Sequence, residues 1–229
     1  EELAPLEAAD IHSVSAAVDA TNLANLEFGQ PTHCFDADTI VGPISIRLAR
    51  PGEQAWPLFA EDKVEVPEGA VVIADDEKIL AIAGVIGCEE SKATETTTRI
   101  LLESAAFDPV AVRKASRALG IHTDSSARFE RGSDASQVLV GAGRVVGLLE
   151  GHGWRRVGDT GMVGTWSDEG RTIEVDTAAA GAFLGIELSP EEAAERLSRY
   201  GFAVSPSGDS LSVVVPPHRV WDVEFPADL

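Results

Sequence analysis

The chain of 229 residues is poor in cysteine, in positive charge and in long apolar runs, and each shortage removes a class of protein. Its two cysteines, Cys34 and Cys88, are too few for a disulfide scaffold and show no zinc spacing. They are expected to be free thiols. No apolar stretch approaches the ~20 residues of a membrane-spanning helix, so no membrane partner is expected. The opening Glu1-Glu2-Leu3-Ala4-Pro5 lacks the cationic and apolar parts of a signal peptide, which makes a cytoplasmic location the expectation. No methionine opens the chain, and a fragment or processed product is expected. Lys and Arg number 18 against 38 Asp and Glu, a formal net charge of −20. Such a balance argues against a strong intrinsic grip on nucleic acid. The acidic excess runs along the whole chain rather than in a tail, as suits a source living in high salt.

Several catalytic signatures are also absent. Metal hydrolysis needs ligands at fixed local spacing, and His12, His33, His122, His152 and His218 include no pair one helical turn apart. Gly-x-Ser-x-Gly is missing, so Ser125-Ser126 sits on no nucleophile elbow. His33 and Cys34 are adjacent, which points their side chains apart. Gly84 and Gly87 are not followed by the Gly-Lys-Ser or Gly-Lys-Thr of a phosphate loop.

What is present is an alternation of helical and strand-like segments. Apolar rhythm over Ile11 to Phe28 predicts a helix stopped by Gly29 and Pro31. Strands are predicted near 44–48, 64–66, 71–74, 79–83 and 99–103, separated by Pro-Gly and Asp-Asp turns. Asp108-Pro109 caps and opens a helix ending at Leu119-Gly120. A second long helix is expected from Ala135 to Glu150, with Gly141, Gly143 and Gly147 allowing close packing on a sheet. Gly151 to Gly170 reads as a passage between domains. Beyond it come a helix over 177–184 capped by Asp176, a second with the capping box Ser189-Pro190-Glu191-Glu192, and a hairpin around 205–210. The fold class is therefore mixed α/β (α+β) over residues 1–160, followed by a small winged-helix-like domain over 171–229.

Four segments carry the chemistry. Gly29-Gln30-Pro31-Thr32-His33-Cys34-Phe35-Asp36 comes first. Ala81-Ile82-Ala83-Gly84-Val85-Ile86-Gly87 has glycines that either let a ligand lie against the backbone or simply form a turn. Leu101-Leu102-Glu103-Ser104 places an acid among apolar residues, where it either faces a ligand or pairs with Arg128 or Arg131. Gly120-Ile121-His122-Thr123-Asp124-Ser125-Ser126 is dense in hydrogen-bonding groups that are costly to bury alone. In this order the four resemble the B3/B4 editing module of phenylalanyl-tRNA synthetase beta subunits, and the last sixty or so residues resemble the B5 module that follows it.

The resemblance implies hydrolysis of tyrosine wrongly esterified to phenylalanine tRNA, with no cofactor and no aminoacylation by this chain alone. An apolar pocket rejects an added hydroxyl poorly, so a second site with the opposite preference is needed. It implies that Glu103 accepts the phenol hydrogen bond, and that Thr21, Asn22 and His33 surround the ester. Gly84 and Gly87 would line the floor, and Thr123 and Ser125 the wall. Cys88 stands where the family commonly has glycine and is expected to narrow the pocket. The synthetase alpha subunit is the implied partner. In longer relatives the aspartates matching Asp222 and Asp228, with two glutamates further on, are associated with magnesium. An acidic second helix, with Glu191, Glu192 and Glu195, predicts no tight binding of duplex DNA.

Overall fold

The computed structural model describes residues 3–165, 170–208 and 210–229. Among them are seven α-helices and eleven strands, in two compact units. The first comprises residues up to Ser133 with Gln137–Met162; the second comprises Asp134–Ser136 with Val163–Leu229.

The first unit opens with α1 (Ala4–Ala8) and α2 (Ala16–Phe28). The apolar rhythm starts the second helix at Ile11, but Ser15 is the N-cap and accepts from the Val18 N–H. Asp19 folds back to take the Ser13 hydroxyl and the Val14 N–H, which holds the preceding residues out of the helix. Gly29 ends α2 with a left-handed φ of 69°. The chain then forms β1 (Thr32–Asp36), β2 (Ser45–Leu48), β3 (Gln54–Ala55), β4 (Val64–Glu65), β5 (Val71–Ala74), β6 (Ile79–Ile82) and β7 (Ile86–Gly87). Four of these make an antiparallel sheet in the order β2-β5-β6-β7, and β3 pairs with β4. β8 (Ile100–Ser104) returns beside β1 as a separate two-stranded sheet.

Three helices complete the unit: α3 (Pro109–Leu119), α4 (Asp124–Phe129) and α5 (Gln137–Gly151). α3 has the predicted Asp108 cap, proline at its start and left-handed Gly120 at its end. α4 lies inside the polar segment and is not predicted by apolar periodicity. Thr123 and Ser126 form a reciprocal capping box that nucleates it. The four-stranded sheet buries one side against α3 and α4 through Val72, Ile82, Val112 and Phe129. Phe35 of β1 enters another cluster with Ile73, Leu80 and Ala81. α2 and α5 pack together through Leu23, Ala24, Val145 and Leu149. Of the four α5 glycines, only Gly141 permits a close approach: a Cβ there would meet Gln30 Cγ at 2.7 Å, while Gly143, Gly147 and Gly151 face open space.

The second unit runs β9 (Thr172–Asp176), α6 (Thr177–Leu184), α7 (Pro190–Ser198), β10 (Ala203–Ser207) and β11 (Ser210–Val214). Its antiparallel sheet has the order β10-β11-β9, so the unpredicted β9 supplies an edge. β10 continues through Pro206 because an edge strand tolerates a missing N–H. The capping box at Ser189 is half formed. Ser189 accepts from the Glu192 N–H, but the Glu192 carboxylate turns to Arg196 instead of back to the cap. Within the predicted passage and hairpin turn, residues 166–169 and Asp209 lie outside the described residues.

Candidate functional site

The β1–β8 ladder decides which side chains meet. Its register sets Thr32 opposite Ser104, His33 opposite Glu103 and Cys34 opposite Leu102. Residues directly opposite in an antiparallel pair share a face, and successive residues alternate. Cys34 turns toward α2, with Sγ 3.9 Å from the Ala17 carbonyl, and Ser104 Oγ donates to the Val138 carbonyl of α5 at 2.7 Å. His33 and Glu103 take the other face. There the His33 ring meets Phe35 edge-on, with centroids 4.6 Å apart. A His33–Cys34 catalytic pair is incompatible with this alternation.

Gly87 is the floor beneath the imidazole. A Cβ built there would lie 2.5 Å from His33 Cε1, 2.7 Å from Nε2 and 3.3 Å from Leu58 Cδ1. The glycine is thus needed for space, since its φ is not positive. Leu58 has no motif to announce it and joins the site only through this packing.

Gly84 behaves differently from Gly87. Its φ is 69°, and a Cβ would strike Val112 Cγ2 at 2.9 Å and Phe107 Cδ2 at 3.0 Å. That direction is the hydrophobic core, so Gly84 shapes the turn rather than presenting the His33 floor. Cys88 is also displaced from its predicted role. One residue beyond Gly87, it points into the core with Val66, Val72 and Val85, and does not narrow the space at His33.

Thr123 reaches this floor through the backbone. Its Oγ1 donates to the Val85 carbonyl, between the two glycines, at 2.7 Å. It also accepts the Ser126 N–H, so one side chain pins the start of α4 to the glycine segment. Ser125 is half-buried on α4. Thr21 donates to the Val18 carbonyl of its own helix at 2.7 Å, and Asn22 is half-buried one residue later. Among the described residues, no hydrogen bond joins Thr21, Asn22 or Ser125 to His33 or Glu103.

The electrostatics are those of a dry, unpartnered pair. Burial holds the His33 imidazole down at about 4, and its Nε2 is buried with no hydrogen-bond partner. Burial pushes the Glu103 carboxyl up to about 7. Among the described residues Glu103 has no salt bridge, which removes the pairing with Arg128 or Arg131. Surface area leaves Glu103 half-buried although protein surrounds its carboxyl densely; such a group is desolvated yet reachable through an opening. Both cysteines are free and buried, and burial pushes each thiol up to about 12. Neither supplies a thiolate near neutral pH.

In the second unit, Asp222 gives both carboxylate oxygens to Arg219. Asp228 Oδ2 accepts the Glu224 and Phe225 N–H groups, which lower its pKa. No group of three or more His, Cys, Asp or Glu side chains suited to a metal occurs among the described residues. Magnesium requires a near-octahedral oxygen shell, and these two carboxylates by themselves do not fit it. No helix among the described residues is long and apolar enough to cross a membrane.

A desolvated carboxyl and imidazole share one sheet face over a glycine floor, and the chain that builds them has known relatives. The chain belongs to the B3/4 domain family, whose profile matches residues 3–153, and the tRNA synthetase B5 domain matches residues 173–229. It corresponds to the B3/4 and B5 portion of phenylalanine–tRNA ligase beta subunits. The subunit of Psychrobacter arcticus is 38% identical over 214 residues, covering 93% of this chain and 26% of that protein. That of Halalkalibacterium halodurans is 39% identical over 226 residues, covering 97% and 28%. The chain thus spans little more than a quarter of the length of these relatives. A crystal structure of an N-terminal fragment of the Pyrococcus horikoshii phenylalanyl-tRNA synthetase beta subunit is similar over 88% of this chain and 60% of that one, with 17% identity and a TM-score of 0.44.

Proposed function

We propose that the first unit hydrolyses tyrosine esterified to phenylalanine tRNA. The observation that carries this reading is Glu103, a desolvated carboxyl without a partner among the described residues, on the same face as His33. A tyrosine phenol can donate to that carboxylate and satisfy it. A phenylalanine ring would leave it buried and unpaired, at a cost of roughly 1–3 kcal/mol. Specificity then comes from demanding the hydroxyl that an apolar pocket cannot reject.

At the ester end, water attacks the acyl carbon, the ester C–O bond breaks, and the ribose oxygen leaves with a proton. His33 stays neutral near pH 7, and an imidazole with its pKa held at about 4 is a weak base. Its role is to orient the ester or the water through Nε2. Asn22 and Thr21 join it at the ester, and Thr123 and Ser125 form the wall, as in the family that the chain resembles. Neither cysteine forms a thiol-bound intermediate, because both thiols are buried and held protonated.

The second unit has a strand, two helices and a hairpin; we read it as winged-helix-like and assign it a structural role in docking the remaining synthetase, including the alpha subunit. The acidic chain makes tRNA capture dependent on parts beyond these units. A non-catalytic scaffold is the competing reading. Incubating the chain in excess with Tyr-tRNA and Phe-tRNA separates the two: selective release of tyrosine is expected, and equal stability of both esters would establish the scaffold.

A further inference from the structure

Phe59 is 93% exposed and has a left-handed backbone, with φ of 66°. Both features are unfavourable for phenylalanine, which loses hydrophobic burial and crowds its Cβ in that region. The surrounding contacts hold the strain in place. The Phe59 N–H donates to Glu89 Oε1 at 3.0 Å, and Glu89 is itself paired with Lys92. Trp56 Nε1 donates to the Ala60 carbonyl at 2.9 Å, closing the loop on itself. The Leu58 N–H donates to the Gly87 carbonyl at 2.9 Å, strapping the loop to β7. Leu58 and His33 converge on one point above Gly87, and Phe59 is the next residue, with its ring in solvent.

We propose that Phe59 is a stacking platform for the base of the nucleotide whose ribose bears the aminoacyl ester entering the His33–Glu103 pocket. The proposal rests on the hydrolysis reading and adds the part of the substrate beyond the amino acid. Charge favours stacking over phosphate contacts here. Lys63, three residues beyond the loop, is paired with Glu90, and Lys92 is paired with the Glu89 that holds the Phe59 N–H. A base has an uncharged π-face that an aromatic ring holds without neutralising phosphate. A protein partner fits less well, because Phe59 is followed by Ala60, Glu61 and Asp62 rather than set in an apolar patch.

The test uses two hydrolysis-resistant probes in calorimetry with the whole chain: 3′-tyrosylamido-3′-deoxyadenosine and tyrosinamide. The adenosine-bearing probe is expected to bind about tenfold more tightly, with little change as salt rises. Phe59→Ala should remove that advantage and leave tyrosinamide binding unchanged, and Phe59→Trp should restore it. With 2-aminopurine replacing the adenine, binding should quench fluorescence in the parent and in Phe59→Trp, and not in Phe59→Ala. If tyrosinamide binds but the nucleoside adds nothing, or if Phe59→Ala weakens both probes equally, the platform is wrong while the hydrolysis reading stands. If the parent binds neither probe, both fall.

Discussion

His33 and Glu103 lie directly opposite each other across the β1–β8 ladder, and neither side chain makes a hydrogen bond within the described residues. Two adjacent polar groups left unpaired in a desolvated setting cost stability unless something else satisfies them. On the hydrolysis reading proposed above, the bound ester supplies those partners.

Replacing Glu103 tests that reading. Glu103→Ala is expected to lower the ratio of tyrosyl to phenylalanyl ester hydrolysis roughly ten- to a hundredfold, as loss of a buried charge-assisted hydrogen bond implies. Rates on both aminoacyl-tRNAs read it. Unchanged selectivity would remove Glu103 from the specificity role.

The same carboxyl predicts a pH signature. Its folded value of about 7 lies above the ordinary glutamate value of 4.5, so its contribution is fully present below pH 4.5 and lost as pH rises through 7. Glu103→Gln should therefore match the parent at pH 4.5 and exceed it at pH 8. Remaining solvent access reduces the full linkage effect to about 1–2 kcal/mol. Denaturant unfolding at the two pH values measures it. An equal difference at both would show that ionisation is not the cause.

His33 has the opposite sign. Its folded value of about 4 lies below 6.5, so stability is gained as pH rises from 4 to 6.5. His33→Gln should flatten the acid limb of the stability curve in that window. In the parent, the two titrations partly cancel between pH 4.5 and 6.5.

Gly87 and Gly84 should separate by mechanism. Gly87→Ala puts a methyl 2.5 Å from His33 Cε1, so hydrolysis should fall by a factor of ten or more while stability drops by only about 1–3 kcal/mol. Gly84→Ala faces Val112, Phe107 and Phe129 from a left-handed backbone, and should reduce the folded population first. Thermal melts beside initial rates distinguish them; identical behaviour would contradict the two packing environments.

Duplex DNA should not bind tightly. The α7 arginines Arg196 and Arg199 are paired with Glu192 and Glu195, which leaves little charge for phosphates. A low-salt titration of the chain with duplex DNA should show no sub-micromolar complex.

Local punctuation made parts of the fold legible. Gly29, Asp108-Pro109, Gly120, Asp176 and Gly185 mark helix ends because capping chemistry acts within a few residues. β1 was hidden because Thr32, His33 and Asp36 interrupt its apolar content. α4 was hidden because a capping box, rather than an apolar stripe, starts it. Glu103 and His33 were each noticeable as polar groups in unusual settings. Their pairing was not, since cross-strand register joins residues about seventy positions apart. Cys88 went astray for the same reason: its direction follows from the pleat that aims Gly87 at His33.

That separation governs when the pocket comes into being. Helices and the β5–β6 hairpin close from near neighbours, but β1 must wait for β8 across six intervening strands, and such long-range pairings come late in folding. During synthesis, a chain that has emerged only as far as β7 carries its histidine, its glycine floor and its aromatic loop with no acid to face. The two-stranded ladder therefore sets an order: the histidine and the acid face each other only once β8 has joined β1.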